Sequence, residues 1–244
     1  MGQYFLEIGL RSALTTSSGR DWANQMDVEI ATDDRGLPFL PARRLKGLWR
    51  DGLRELGEAL SLCGVFATGT DEALRLLFGL PGKKSGGEAL VTIADAYLED
   101  FQPGLAAGAL QCLDDLLRDK VITRAEIMGA FADARSQTAI DPATGSADEN
   151  TLRSSRTLHR RRRFRAPVCI RESRYVDILA LAAAAVRRMG LGRTRGLGQV
   201  TLRLIEETPG GGKPHDRTQQ ILDSLDVSNM GEVLSGMIPA GDPA

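Results

Sequence analysis

Aromatic residues are scarce in this chain: seven Phe, three Tyr and two Trp, 5% of 244 residues. A sheet that stacks bases on its face needs aromatics there, so base stacking is not the expected mode of any nucleic-acid contact. Histidine and cysteine are scarcer still. His159 and His215 are the only histidines, and Cys63, Cys112 and Cys169 are scattered and odd in number. No C-x-x-C pair occurs, which argues against a structural zinc site and a disulfide framework. Scattered thiols fit a reducing compartment, and the expected location is cytoplasmic. No run approaches the roughly 20 apolar residues that span a bilayer, so no membrane contact is expected. Met1–Gly9 has no basic stretch followed by an apolar run and a cleavage site; it reads as a first strand.

There is no excess of charge of either sign: 31 Lys and Arg against 32 Asp and Glu give −1. That total, taken alone, argues against a phosphate partner. The distribution argues the other way, because Leu152–Tyr175 holds nine arginines and one acid, Glu172. A local basic stripe is the electrostatic footprint of a polyanion and can coexist with a neutral total. The plain alternative is a solvated arginine-rich face.

What is present is an ordered alternation of strand and helix patterns. Tyr4–Leu10 alternates as a strand does. Ser12–Asn24 is polar and without period, and reads as a loop. Val28–Ala31 and Leu37–Leu40 flank Thr32-Asp33-Asp34-Arg35-Gly36, a hairpin signal in which Gly36 takes a positive φ. Leu45, Leu48, Trp49, Leu53, Leu56 and Leu60 recur at helical spacing. A short helix is predicted near Asp71–Phe78, a strand over Leu90–Leu98, and broken helix over Leu105–Ala134. Ser136–Ser155 is polar and expected to be exposed. Phe164–Ile170 is a strand, Val176–Met189 an alanine-rich buried helix, and Gln199–Glu206 the closing strand. A flexible tail is expected over 207–244, opening with Pro209-Gly-Gly-Gly and holding a short amphipathic helix near Thr218–Leu225. The order predicts an α+β fold, a ferredoxin-like, RRM-like split βαβ with a large insertion.

The most distinctive local feature is Gly190-Leu-Gly192-Arg193-Thr-Arg195-Gly196-Leu-Gly198. It follows a helix and precedes a strand, the reverse of a dinucleotide-binding turn, and its spacing is wrong for one. No G-x-x-x-x-G-K-[ST] occurs either. Four glycines permit positive φ and close backbone approach, so that amides form an anion-binding nest with Arg193 and Arg195 beside it. A tight helix-to-strand turn with incidental arginines is the competing reading.

These residues resemble the glycine-rich signature of the RAMP superfamily, the repeat-associated RNA-binding proteins of CRISPR systems. Four further segments carry the resemblance. Leu37-Pro-Phe-Leu-Pro-Ala-Arg-Arg-Leu-Lys-Gly-Leu-Trp-Arg50 is similar to the family's G-L-P-Y-I-P-G-S-S-L-K-G-x-x-R entry to its first helix, with Ala42-Arg43-Arg44 in place of Gly-Ser-Ser. Leu77-Phe-Gly79, Gly86-Gly87 and Asp95-Ala96 resemble L-F-G … G … D-A. Gln137-Thr-Ala-Ile-Asp141-Pro-Ala-Thr-Gly145-Ser-Ala147 resembles the A-I-D-x-x-T-G-x-A segment of the family's thumb. Ile178–Gly198 resembles the last helix and loop. Together they cover about Tyr4–Leu204.

The thumb segment points to the backbone subunits of type III effector complexes, the Cas seven family. The resemblance implies one RAMP domain over 1–206, with a thumb inserted at about 133–166 beside a lid region. It implies as partners guide RNA, target RNA, other effector subunits and further copies of the chain. Cleavage of target RNA falls in such subunits to an aspartate before the hairpin, and the matching position is Asp27, with Asp21 the nearest competitor. Attack of a 2′-hydroxyl on its own phosphate needs that hydroxyl deprotonated, and Asp27 would relay the proton or hold Mg²⁺. Arg43, Arg44, Lys46 and Arg50 are the expected RNA contacts of the first helix. Gly192, Arg193, Arg195, Gly196 and Gly198 are those of the loop, and Arg153, Arg156, Arg160, Arg161, Arg162 and Arg163 those of the thumb. Two alternatives stand beside this: a non-catalytic RAMP subunit that caps the complex or binds the guide tag, and a metal-independent guide-processing endonuclease using His159.

Overall fold

The computed structural model describes residues 3–17, 27–62, 70–79, 89–102, 106–148, 151–208 and 212–225. Asp21, Cys63, Gly86-Gly87, Pro209–Gly211 and 226–244 lie outside the described residues.

The core is an antiparallel sheet with helices on one face. Strand β1 (Gln3–Leu10) lies at its centre, between β7 (Arg163–Ile170) and β8 (Val200–Glu207). β3 (Val91–Ile93) and β4 (Ala96–Leu98) both pair with β7, and the short β2 (Phe39–Leu40) pairs with β4. Reduced to its four principal positions, the order is β8, β1, β7, then β3/β4, which is the ferredoxin-like arrangement the sequence predicts. Alternation sends Leu6, Ile8 and Leu10 of β1, with Phe164, Ala166 and Val168 of β7, into one buried layer.

Helix α1 (Ala42–Leu62) and α5 (Val176–Ala185) cover that layer. Leu45, Trp49, Leu53 and Leu60 are buried, as their spacing requires. The Trp49 indole donates to the Leu179 carbonyl at 2.9 Å, and Gly52 lets the helices touch: a Cβ there would lie 2.5 Å from the Ala182 carbonyl oxygen. Gly36 has φ +90° in the expected hairpin turn, which Asp33 closes by accepting the amides of Arg35 and Leu37 at 3.0 and 2.9 Å. Among the described residues no helix is long and apolar enough to cross a membrane.

Several boundaries differ from the sequence reading. The last core helix ends at Ala185, not Met189, because 187–189 becomes extended and pairs with 198–200. The strand expected over Leu90–Leu98 breaks at Ala94-Asp95, where the Asp95 carboxylate leaves to accept the first amide of α1, that of Ala42, at 2.7 Å. Helical structure ends at α4 (Arg124–Gly129), after α2 (Thr70–Phe78) and α3 (Ala107–Arg118), and does not run to Ala134. The chain then enters a ribbon, β5 (Ala132–Gln137) paired with β6 (Arg153–Leu158). That ribbon stands where the sequence reading expects the inserted thumb; residues 163–166, counted with the thumb there, belong to the core strand β7.

The tail is not free over 212–225. β9 (His215–Asp216) pairs with β8, and α6 (Arg217–Ser224) buries Thr218 and Ile221. The Thr218 hydroxyl receives the Leu204 amide at 2.8 Å and donates to the Ala180 carbonyl at 3.3 Å. The amphipathic period placed the helix; its docking depends on contacts that composition does not carry.

Candidate nucleic-acid interface

The segment after β1, read in the sequence as a polar loop, is buried at Leu14, Thr15 and Thr16. It runs between the ribbon and the glycine loop and bonds to both. Leu14 exchanges two backbone bonds with Leu158 at the base of β6 (3.1 and 2.8 Å), and the Thr15 carbonyl accepts the Leu191 amide at 2.8 Å. One short stretch thereby fixes the thumb against the glycine loop.

All four loop glycines have positive φ: +77° at Gly190, +70° at Gly192, +81° at Gly196 and +70° at Gly198. Their roles differ. A Cβ on Gly190 would lie 2.3 Å from the Thr15 carbonyl oxygen, and one on Gly198 would lie 1.9 Å from that of Met189. Both glycines are spent on closing the loop, and Gly198 is buried. Gly196 is exposed and faces open space. The amides of Leu191, Arg195, Leu197 and Gly198 turn inward to Thr15, Gly192, Gly192 and Ala13, which leaves less of a nest than four glycines suggest.

The other edge of β6 carries Asp27. Val28 forms a parallel bridge to Ser155, and the Asp27 Oδ2 accepts the Ser154 amide at 2.7 Å, a contact between residues 127 positions apart. A groove of about 700 Å³ opens here, lined by Asp27, Arg153, Gly192, Thr194 and Arg195, with Thr15 and Gln137 in its wall. Three separate regions of the sequence reading, the aspartate, the thumb and the loop, converge in it.

The other expected contacts divide by whether the protein already satisfies them. Arg43, Arg44, Lys46, Arg50, Arg153, Arg160, Arg161 and Arg195 have no acidic partner among the described residues. Arg156 is bound to Glu29 at 2.7 Å. Arg162 donates to the Ala130 carbonyl at 3.1 Å and covers the Phe131 ring, and Arg163 pairs with Glu99 at 3.2 Å. Arg193 turns away from Arg195: its Nε donates back to the Gly190 carbonyl at 3.2 Å, and it lines a second groove with Arg188, Asp51 and Glu55. At 100° per residue, Lys46 and Arg50 also point about 160° and 120° away from Arg44. The expected set is therefore two or more patches rather than one.

Burial, and then the charge of Arg50, hold Lys46 below the usual lysine range. His159 lies five residues beyond Ser154, about 17 Å along a strand, and its Nε2 meets Asp133 Oδ2 at 3.0 Å. It is not part of the groove. Asp141 organises the thumb tip, accepting the Ala143 amide and the Thr144 hydroxyl, each at 2.9 Å.

Ser154, Thr194 and Glu29 were not singled out in the sequence, and Gln137 stood only at the head of the thumb-like segment, with no contact assigned to it. One signal was available: Gln137 and Arg153 each lie eight residues from Gly145, whose φ of +69° marks the ribbon's turn.

The RAMP superfamily profile matches residues 21–201. The chain belongs to the RAMP superfamily. Among solved structures, it is similar to a chain of a type III-B Cmr-beta complex in the apo state, seen by cryo-electron microscopy (TM-score 0.57, 14% identity, 84% of this chain and 97% of that one). A second similar chain comes from type III-B Cmr-beta bound to cognate target RNA (TM-score 0.56, 13% identity, the same coverage of 84% and 97%). At these identities they show a shared RAMP fold. No curated protein matches the chain.

The groove's donor set is one carboxylate. Among the described residues no three His, Cys, Asp or Glu side chains lie close enough together to hold an ion. Mg²⁺ takes one or two carboxylates and completes its shell with water and substrate phosphate. Asp27 fits that pattern as a single protein ligand.

Proposed function

We propose that this RAMP protein is a guide-RNA-binding backbone subunit of a type III CRISPR effector complex, and that its groove cleaves target RNA paired to the guide. The observation that carries the reading is the convergence of Asp27, Arg153, Gly192 and Arg195 in one groove. Membership of the superfamily supports it. So does the fold it shares with chains of type III-B Cmr-beta, in one of whose structures the complex is bound to cognate target RNA.

In the proposed reaction the target's 2′-oxygen attacks the adjacent phosphorus and the bond from phosphorus to the 5′-oxygen breaks. The products are a 2′,3′-cyclic phosphate and a 5′-hydroxyl. Asp27 accepts the 2′-hydroxyl proton, with its carboxylate anchored on the Ser154 amide, and water supplies the proton taken up by the departing 5′-oxygen. Arg153 and Arg195 hold the phosphate and offset the negative charge that grows on it in the transition state. Bound Mg²⁺, held by Asp27 and the RNA, would supply further charge neutralisation at that phosphate. The thumb ribbon holds the nucleotide out of stacking so that attack is in line. Specificity comes from guide pairing, since the protein contacts are to phosphate.

The test is a complex reconstituted with guide RNA and its partner subunits. Asp27→Ala should retain guide and target binding and lose magnesium-dependent cutting at regular intervals. Normal cutting by that variant would refute the site. One observation favours a second reading, a non-catalytic RAMP subunit that caps the complex or binds the guide tag: the groove offers a single carboxylate, and one of its oxygens already accepts a backbone amide. That subunit would appear once per assembled complex, and native mass measurement separates the two.

A further inference from the structure

Arg156 belongs to the arginine run, yet it does not face solvent as a free cation. Its Nε donates to Glu29 Oε1 at 2.7 Å, with the two side chains only 24% and 34% exposed. Its backbone amide donates to the Val28 carbonyl at 2.9 Å. Glu29 is held in turn, because the same Oε1 accepts the Ile30 amide at 3.2 Å. Arg156 thus grips the 28–29 segment with main chain and side chain together. The grip lies two residues along β6 from a bond that orients Asp27, the Ser154 amide to Oδ2.

We infer that Arg156 is a positioning residue for Asp27, and that the Arg156–Glu29 pair holds the cutting carboxylate in register with the thumb; this rests on the catalytic reading of Asp27. Asp27 itself is exposed, so burial does little to fix its side chain. Its position is set by the segment that follows it, which bridges to β6 at Val28. Ile30 and Ala31 anchor that segment's far end in the core, and the Arg156–Glu29 pair anchors its near end to β6. Because β6 also carries Arg153, the phosphate-holding arginine and the carboxylate are indexed to one strand. Loss of the pair leaves RNA contacts intact and lets the carboxylate drift. A misplacement of about 1 Å lowers a positioned reaction by up to roughly a hundredfold.

The experiment uses the reconstituted complex with guide and target, and compares Arg156→Ala, Glu29→Gln and the double reversal Arg156→Glu/Glu29→Arg. Single-turnover cutting should fall about tenfold in each single variant, with target affinity and its salt dependence unchanged. The reversal should recover most of the rate. Hydrogen exchange should show the Ser154 amide exchanging faster in both single variants, a readout that does not depend on activity. Glu29→Gln is isosteric and keeps the test open should Arg156→Ala fail to fold. Unchanged cutting in both single variants, with Asp27→Ala inactive, overturns this inference alone. Arg156→Ala losing affinity and salt dependence while Glu29→Gln does not would make Arg156 a phosphate contact and overturn it too. Normal cutting by Asp27→Ala removes the catalytic reading beneath it.

Discussion

Substituting two loop glycines separates closure of the fold from contact with RNA. A Cβ on Gly198 would lie 1.9 Å from the Met189 carbonyl oxygen, so the backbone must move by more than an ångström. That movement breaks two backbone bonds of 2.8 Å, from Met189 to the Gly198 carbonyl and from Gly198 to that of Ala13. Each is worth about 1 kcal/mol, and alanine in the left-handed region adds about 1–2 kcal/mol. Gly198→Ala should therefore cost about 3–4 kcal/mol, which lowers Tm by roughly 10 °C in a chain of this size. Gly196 has φ +81° and open space around it, so Gly196→Ala carries only the left-handed cost, a fall of roughly 3–6 °C. Thermal unfolding of the free protein measures both. Guide-RNA binding at fixed salt then reads the second difference: Gly196→Ala should bind roughly threefold to tenfold more weakly while folded, because its methyl occupies the face where backbone meets phosphate. Gly198→Ala as stable as Gly196→Ala would refute the closure argument. Unaltered binding by Gly196→Ala would refute the contact.

Two other measurements bear on the charges. Replacing Arg44, Arg50, Arg153 or Arg195 by alanine should each weaken guide binding and reduce its salt slope by about one, whereas Arg162→Ala and Arg163→Ala should leave the slope unchanged, since those side chains already hold Ala130, Phe131 and Glu99. Lys46 is held below the ordinary value of 10.5, first by burial and then by Arg50; the folded protein then releases that proton before the unfolded chain does, so stability should rise with pH across the window that ends near 10.5. Lys46→Met should abolish that alkaline rise in Tm while weakening RNA binding, and a variant that binds normally would remove Lys46 from the interface.

Where the physics is local, the sequence was informative. Leucine and tryptophan spacing marked α1 because a helix needs only its own period, and the four loop glycines marked four positive φ values. Gly36 did the same for the hairpin. Contacts between distant segments were not legible. Nothing near Leu14 shows that it pairs with Leu158, and nothing in six closely spaced thumb arginines shows that Arg156 meets Glu29 or that Arg163 meets Glu99. The end of α5 was missed because Val186 and Met189 are as apolar as the helix before them; pairing of 187–189 with 198–200, not propensity, stops it. At the groove, the residue types were visible and their convergence was not.

A chain with net charge −1 attracts a polyanion only if its cations are sorted, and α1 shows the sorting. Its first turn holds Arg43 and Arg44 and no acid, Lys46 follows at the start of the second, and its last turn holds no base. Asp51, Glu55 and Glu58 follow further along the helix. This order opposes the helix dipole, which favours acids at the N-terminus, and each misplaced charge costs about 0.3–1 kcal/mol. The Asp95 carboxylate, reaching across to the Ala42 amide, relieves it locally. Elsewhere the acids go to arginines that the fold has neutralised: Glu29 to Arg156, Glu99 to Arg163, Glu207 to Arg165, Asp216 to Arg203. Paired charges look neutral beyond about a Debye length, so the field a polyanion meets comes from the unpaired ones. A helix start that combines the positive end of the dipole with exposed Arg43 and Arg44, which have no acidic partner among the described residues, is unfavourable in the isolated protein and favourable toward a phosphate. A local rule broken in this way, and only partly offset by Asp95, is what a binding site for an anion would require.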